Sequence, residues 1–219
     1  MNKLFSILQL WTDQSVRSAA GQMAIDEALA RTATVPVLRV YGWGMPTATF
    51  GYSQRFSGLP EAVKRLNAVR RWSGGGVVFH GSDLTLALVV PAGETMAAKR
   101  SREFYQLLHE AILAVVRGVV PEARLVMPSE CRAGGVCFES PVEFDIVANQ
   151  KKICGGALRR FRGGVLYQGS LHCHGIDGAD IAGIMGQNVE PFIAMNELNR
   201  LAQVLENEKY ASDSWRNLR

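Results

Sequence analysis

The residues best suited to chemistry lie close together in the segment Arg70–His80 (RRWSGGGVVFH). Two arginines stand just before Ser73 and a run of three glycines. Glycine lacks a Cβ atom, so it can adopt positive φ and lets a ligand approach backbone N–H groups. The guanidinium of Arg71 is always charged, and its planar fork matches the oxygens of a carboxylate or phosphate. The segment therefore predicts a cradle for an anionic or strongly polar group, with a plain glycine-rich turn between two strands as the alternative.

Cysteine and histidine spacing argues against a metal centre or a disulfide framework. The chain has four cysteines: Cys131, Cys137, Cys154 and Cys173. None forms a Cys-x-x-Cys pair, the usual sign of a zinc site. His172 and His174 share one face of a predicted strand, but no third or fourth ligand stands at a recognisable spacing. We expect reduced thiols, one of them a candidate for reactivity, and no bound metal.

Length and composition predict a single domain over residues 1–219. The chain has 219 residues and is 47% hydrophobic, which is enough to bury a sizeable core. Its formal net charge is +4, but no lysine- and arginine-rich block suggests nucleic-acid binding. No apolar run reaches the roughly 18 residues of a spanning helix, and the N-terminus lacks a signal-peptide cleavage pattern. We expect no membrane association and a cytoplasmic location.

Hydrophobic periodicity predicts the elements that must position these residues. Apolar residues at i, i+3, i+4 and i+7 predict helices, whereas alternating or β-branched runs predict strands. Helices are predicted over residues 21–31, 60–66, 102–119 and 179–185, with a last helix starting at Pro191. Strands are predicted over residues 7–11 (as an edge strand), 35–41, 47–50, 68–72, 77–80, 84–90, 144–148, 152–159 and 164–172. The long helix over 102–119 carries a continuous apolar stripe that we expect to lie on the sheet as core.

Several segments, taken in order, resemble the superfamily of lipoate-protein ligases, octanoyltransferases and biotin ligases. In chain order they are Met23–Leu29 (MAIDEAL), Tyr41–Trp43 (YGW), Gly51–Gln54 (GYSQ), Arg70–His80, Lys152–Arg159 (KICGGALR) and Gln168–Ser170 (QGS). The first is similar to the family's first helix, and the last three are similar to its two signature segments. The matches extend over roughly residues 20–175, and several motifs in order are far more specific than one glycine run.

The resemblance implies an α/β (α+β) fold with a mixed, largely antiparallel β-sheet and helices packed on one side, as in biotin/lipoate ligase-like catalytic domains. This sheet would hold an acyl chain and its activated carboxyl group. The implied substrate-binding residues are Arg71, Ser73, Gly74, Gly75, Gly76, His80, Asp83, Gly155, Ala157 and Gly169. Lys152 is the implied catalytic lysine, since a positive charge near the acyl carbonyl stabilises a developing oxyanion. Its neighbour Lys151 points to the opposite side of the strand.

Cys137 favours one branch of the superfamily. The string Cys137–Pro141 (CFESP) resembles the Cys-Phe-x-x-Pro segment of cysteine-type octanoyltransferases and amidotransferases, which pass the acyl group through a thioester. A thiol attacks a thioester well when nearby positive charge lowers its pKa, and Lys152 is the candidate for that charge. A small buried hydrophobe is the alternative interpretation of a lone cysteine.

The implied reaction moves an octanoyl or lipoyl group to a lysine of a lipoyl carrier domain, such as the glycine cleavage H protein or an E2 subunit. The donor would be octanoyl-acyl carrier protein, or lipoate or octanoate, and a transferase would require no cofactor.

Two alternative functions stay open at this point. An ATP-dependent lipoate-protein ligase would need ATP and Mg²⁺, and such ligases more often carry an Asn-Asp pair where this chain has Phe144-Asp145. A non-catalytic acyl-binding module is favoured by Gly81 and Gln168, which replace residues that related sequences often carry as aspartate and histidine. The length of the acyl chain, the acceptor domain, the oligomeric state and any accessory subunit also stay open.

Overall fold

The computed structural model describes residues 3–131 and 140–218, and its main sheet has eight strands. These are β1 (Phe5–Asp13), β2 (Val37–Tyr41), β6 (Leu84–Pro91), β7 (Arg124–Leu125), β8 (Ile146–Ala148), β9 (Lys151–Phe161), β10 (Gly164–Leu171) and β11 (Gly186–Pro191). They lie in the order β11-β1-β2-β6-β10-β9-β8-β7. β1 runs parallel to both β11 and β2, and the other neighbouring pairs are antiparallel. The prediction of a mixed, largely antiparallel sheet is confirmed.

A small second sheet carries the glycine-rich segment. Its strands are β3 (Thr47–Phe50), β4 (Val69–Arg70) and β5 (Val78–His80), in the order β4-β3-β5. β3 pairs with β4 in parallel and with β5 in antiparallel register, so the chain must pass around β3 between residues 70 and 78. Three glycines form the centre of that connection, which faces the main sheet.

Helices cover both faces of the main sheet, which corrects the expectation of helices on one side. They are α1 (Ala19–Thr32), α2 (Glu61–Lys64), α3 (Thr95–Ala98), α4 (Ser101–Val116), α5 (Gly178–Met185), α6 (Asn196–Leu205) and α7 (Asp213–Arg216). Side chains alternate along β6, so Leu86 and Leu88 pack in the core with α4 and α5, whereas Ala87 and Val89 pack in the core with α1 and α6. No helix within the described ranges is long and apolar enough to cross a membrane.

Several predicted boundaries are wrong for identifiable reasons. The first strand is not at an edge, because β11 pairs with it in parallel register over Phe5–Leu10. β11 itself was not predicted, since its sequence GQNVEP is polar and does not alternate. The last helix begins at Asn196 rather than at Pro191, which instead ends β11. α4 ends at Val116, three residues early, in a turn that contains Gly118.

Candidate active site

The two sheets enclose a cavity of about 690 Å³, including its open mouth. A volume of this size is typical of small-molecule sites. Apolar groups dominate its walls, with Met23, Tyr41, Trp43 and Val78 among them. A few polar groups converge on the same space, which suits a ligand that has a hydrocarbon tail and one reactive polar end.

Arg71 shapes the glycine-rich wall of this cavity. Its Nη1 donates to the Thr49 hydroxyl at 2.6 Å, and its Nη2 donates to the carbonyls of Gly74 and Gly76 at 2.9 and 2.7 Å. These bonds draw the loop around the guanidinium, which is 6% exposed. Gly75 lies between the two accepting carbonyls with φ of 81°, a conformation that favours glycine. The fork predicted to bind an anionic ligand thus binds backbone carbonyls of its own loop.

His80 is held between Thr49 and Asp83. Because the Thr49 hydroxyl accepts a hydrogen bond from Arg71, its proton is available to His80 Nε2, 2.8 Å away. His80 Nδ1 then donates to Asp83 Oδ2 at 2.8 Å, and the ring stacks on Trp43 with centroids 4.4 Å apart. Burial lowers the pKa of His80, although Asp83 opposes that effect. A neutral His80 with both ring nitrogens engaged fits a wall-forming role.

Asp83 lies behind the cavity wall and gathers four donors. Besides His80 it accepts from the Thr85 hydroxyl at 2.9 Å, the Ser170 hydroxyl at 2.6 Å and the Gly81 N–H at 3.0 Å. Burial alone raises the pKa of Asp83, but the hydrogen bonds from His80 and Ser170 outweigh it and hold the pKa well below its usual value. Asp83 therefore ties β5, β6 and β10 together from outside the cavity.

Lys152 brings a positive charge to the opposite wall. Its Nζ lies 2.8 Å from Asp145 Oδ2, and its side chain is only 9% exposed. Gly155 leaves the space that this side chain occupies, because an added Cβ would lie 2.1 Å from Lys152 Cε. Lys151 is exposed, so the two adjacent lysines do point to different surroundings.

Gln168 closes the inner part of the cavity through a buried polar network. Its Oε1 accepts from the Ser73 hydroxyl at 2.7 Å, and its Nε2 donates to Asp26 Oδ2 at 2.7 Å. Asp26 also pairs with Arg39 at 2.5 Å and accepts from the Tyr41 hydroxyl at 2.9 Å. Burial raises the pKa of Asp26. The Gln168 side chain is therefore part of the wall, with both ends of its amide occupied.

The structure assembles most of the predicted site residues around one space. Those that line the cavity are Arg71, Gly75, Gly76, His80, Lys152, Gly155, Ala157 and Gly169. Ser73 and Asp83 lie directly behind its wall, and Gly74 contributes a carbonyl to Arg71. Cys137 lies outside the described residues.

Sequence reasoning missed the side chains that hold these residues in place. Thr49 and Tyr105 gave no motif signal, and Asp26 was noted only within the segment that resembles the family's first helix, because each meets its partner only after distant elements pack together. Asp145 was noted only as the second residue of Phe144-Asp145, although an acidic residue at the start of an apolar strand signals a buried carboxylate with a specific partner. Within the described residues no group of three or more His, Cys, Asp or Glu side chains could hold a metal ion.

Comparisons with known proteins agree with the fold. Residues 18–206 match the family described as "Lipoyl protein ligase A/B catalytic domain". Over 170 residues the chain is 33% identical to Octanoyltransferase LipM of Kyrpidia tusciae, covering 70% of this chain and 62% of that protein. Over 175 residues it is 31% identical to Octanoyltransferase LipM of Bacillus subtilis, covering 73% of this chain and 63% of that protein. The chain thus spans less than two thirds of these relatives.

Solved structures with the same fold include a lipoate-protein ligase and a protein described as a putative one. Lipoate-protein ligase A bound with ATP superposes with a TM-score of 0.76 at 19% identity, covering 95% of this chain and 97% of the other. A putative lipoate protein ligase from T. acidophilum also superposes with a TM-score of 0.76, at 20% identity, covering 96% of this chain and 98% of the other. At such low identity these likenesses show the fold alone.

Proposed function

The chain belongs to the lipoyl protein ligase A/B catalytic-domain family, and we propose that it acts in this family as an octanoyltransferase. The family predicted from the ordered motifs is confirmed. The observation that carries the proposal is the ammonium of Lys152 at the wall of a mostly apolar cavity. An eight-carbon acyl chain suits the apolar part, and its carbonyl carbon suits the charged part. The relatives that the chain matches are named octanoyltransferases.

The first step is acyl transfer from a thioester donor to Cys137. The Cys137 thiolate attacks the donor carbonyl carbon, the carbon–sulfur bond of the donor breaks, and the released thiolate takes up a proton. The charge of Lys152 stabilises the oxyanion that forms on the carbonyl oxygen. It would also lower the pKa of a thiol brought near it.

The chain connection supports this pairing of Cys137 with Lys152. Val142 lines the cavity, and it follows Cys137 by five residues. Five residues of extended chain span at most about 18 Å. The covalent chain length therefore permits Cys137 to approach the wall that carries Lys152.

The second step passes the acyl group to the acceptor. The neutral ε-amine of a lysine on a lipoyl domain attacks the thioester carbonyl, an amide bond forms as the carbon–sulfur bond breaks, and the departing Cys137 thiolate takes up the proton that the amine loses. Breaking one difficult transfer into two easier ones is the general advantage of a covalent intermediate. The proposed donor is octanoyl-acyl carrier protein, and the proposed acceptor is a lipoyl domain such as the glycine cleavage H protein or an E2 subunit. This reaction uses no cofactor.

An ATP-dependent lipoate-protein ligase is the second candidate, because a ligase bound with ATP shares the fold. Such a ligase would need residues that hold Mg²⁺. The carboxylate of Asp145 is engaged by Lys152 and by the Tyr105 hydroxyl, and Phe144 beside it offers no side-chain oxygen. The described side chains at this position therefore do not fit a Mg²⁺ site, which favours the transferase.

The two candidates are separated by mixing the protein with a lipoyl domain and either octanoyl-carrier protein or octanoate with ATP and Mg²⁺. Electrospray mass of the lipoyl domain reports the octanoyl group. The transferase predicts modification from the thioester without ATP and none from octanoate. Strict dependence on ATP would establish the ligase instead, and no modification from either donor would favour the non-catalytic acyl-binding module.

A further inference from the structure

Asp145 is a buried carboxylate that contacts three different parts of the structure. The Lys152 ammonium lies 2.8 Å from its Oδ2, and the Val142 N–H donates to the same oxygen at 2.7 Å. The Tyr105 hydroxyl donates to Oδ1 at 2.6 Å. Its side chain is fully buried. One carboxylate thus joins β9, α4 and the turn that leads into β8.

The backbone of that turn is strained. Phe144 has φ of 68°, which is unusual for a bulky residue. Four hydrogen bonds fix the turn: Val142 N–H to Asp145 Oδ2, Asp145 N–H to the Val142 carbonyl, Phe144 N–H to the Val126 carbonyl, and Val126 N–H to the Asp145 carbonyl. Such strain persists only where the surroundings over-determine it, and it concentrates at functional sites. Here its consequence is that the Asp145 side chain points at Lys152.

The strand β9, which carries Lys152, leaves space for the contact between Lys152 and Asp145. At Gly155 an added Cβ would lie 2.1 Å from Lys152 Cε and 2.8 Å from Asp145 Oδ1. The next residue, Gly156, donates its N–H to the Tyr105 hydroxyl at 2.9 Å, which leaves the phenolic proton for Asp145. Gly155 and Tyr105 therefore both support the contact between the Lys152 ammonium and the Asp145 carboxylate at the cavity wall.

We propose that Asp145 is the positioning residue for Lys152: its carboxylate fixes the ammonium at the cavity wall and ties the turn at residues 142–145 to it. Val142 lines the cavity, so this tie also fixes that part of the cavity wall. The consequence for octanoyl transfer rests on the function proposed above. The placement of Lys152 by Asp145 does not depend on that function.

Other titratable groups face Lys152 from α4, β9, β10 and the residues that follow β10. Burial lowers the pKa of His109 to about 3, with the charge of Lys152 as a lesser cause, and burial raises the pKa of Cys154 to about 12. Burial raises the pKa values of Tyr105 and Tyr167 and lowers that of His172. These groups are uncharged near neutral pH, whereas the Asp145 carboxylate, 2.8 Å from the Lys152 ammonium, supplies an opposite charge.

The test measures the titration of Lys152 directly in the full-length protein and its variants. Trace acetylation with acetic anhydride at a series of pH values, followed by fragment-ion mass spectrometry, gives a reactivity midpoint for each lysine. Asp145→Asn keeps the shape of the side chain but removes its charge. We expect the Lys152 midpoint to fall, because Asp145→Asn removes the opposite charge that favours the ammonium.

Two further variants separate positioning from a general loss of structure. Glu143→Gln removes another carboxylate of the same turn, which pairs with Arg102 at the surface and does not contact Lys152. It should leave the Lys152 midpoint unchanged. Gly155→Ala keeps both charges but pushes Lys152 away from Asp145, so it should lower the midpoint like Asp145→Asn. It also keeps the proposal testable if Asp145→Asn does not fold.

A Lys152 midpoint that is unchanged in both Asp145→Asn and Gly155→Ala would overturn the proposal. In single-turnover acylation by octanoyl-carrier protein, Asp145→Asn should slow the chemical step by about 100-fold, the effect of a displacement near 1 Å, without weakening donor binding. An equal loss in Glu143→Gln would mean that the turn acts only through stability. If the wild-type protein formed no acyl-enzyme, the proposed function would fail, and the acetylation midpoints would still decide the role of Asp145.

Discussion

Replacing Gly75 by valine should block the cavity while leaving the fold largely intact. Gly75 has φ of 81°, and an added Cβ would lie 3.3 Å from Arg71 Nη2 and 3.5 Å from Ala157 Cβ. These contacts are tight but tolerable, so the Cβ itself fits. The two further methyl carbons of valine must then enter the space between Gly75 and Ala157, where we place the acyl chain. Acyl transfer should fall by 100-fold or more if a displacement of about 1 Å costs about 100-fold.

The stability cost of this substitution can be worked out separately. A side chain at positive φ costs about 1–2 kcal/mol. A loss of this size lowers the Tm of a domain of this length by about 2–8 °C, at about 2–4 °C per kcal/mol. The protein should therefore stay folded at assay temperature.

Gly175 supplies a matched control for the backbone strain. It has φ of 79° and is exposed. The atom nearest to a Cβ added there would be Val119 Cγ1, at 3.7 Å. Gly175→Val should thus lower the Tm by a similar amount and retain full acyl transfer. The assay is octanoyl transfer to a lipoyl domain, measured by mass, beside thermal melting of both variants. A folded Gly75→Val protein that transfers octanoate at the wild-type rate would show that the acyl chain does not lie along this loop.

Three further predictions test other parts of the structure. Lys152→Ala should slow acylation by about 10²–10³-fold, the usual loss when one oxyanion donor is removed, and pre-steady-state acylation rates would show whether the loss lies in the chemical step. Arg39→Met should lower the free energy of unfolding by about 3–5 kcal/mol in urea titrations, because it leaves the fully buried Asp26, now 2.5 Å from the guanidinium, without a cationic partner, whereas Asp13 keeps its contact with Arg17. The third prediction concerns His109, because burial lowers the pKa of this side chain from 6.5 to about 3. As the pH falls from 6.5 toward 3, the unfolded chain binds a proton that the folded chain excludes. The free energy of unfolding of the wild-type protein should therefore fall more steeply with decreasing pH than that of His109→Gln. Equal slopes for the two proteins would contradict the lowered pKa of His109.

Local motifs were enough to place the residues that line the cavity. Gly75, Gly76 and Lys152 belong to segments whose order along the chain predicted the family, and the structure brings them to one space. The alternation of Leu86 and Ala87 along one strand likewise predicted two distinct faces, which now pack in two cores. These features depend on neighbouring residues, so sequence alone could carry them.

Features that depend on pairing between distant segments could not be predicted in this way. β11 is polar and becomes a strand because it pairs with β1, which lies more than 170 residues earlier. The role of Gln168 in the wall depends on Asp26 of α1 and Ser73 of the glycine-rich loop. Arg71 was predicted to bind an anion because its guanidinium could do so, but folding offers it the carbonyls of Gly74 and Gly76. In each case the partner, not the residue itself, decided the outcome.

The most direct test of the central claim is the mass of the protein after mixing with octanoyl-carrier protein, without ATP and without a lipoyl domain. We predict the addition of one octanoyl group that maps to the peptide containing Cys137 and is absent from Cys137→Ser. Serine variants of Cys131, Cys154 and Cys173 should keep the adduct; for Cys154, burial raises the thiol pKa to about 12 and suppresses its reactivity. Octanoyl transfer at the wild-type rate by Cys137→Ser, with no adduct on the wild-type protein, would contradict the thioester mechanism.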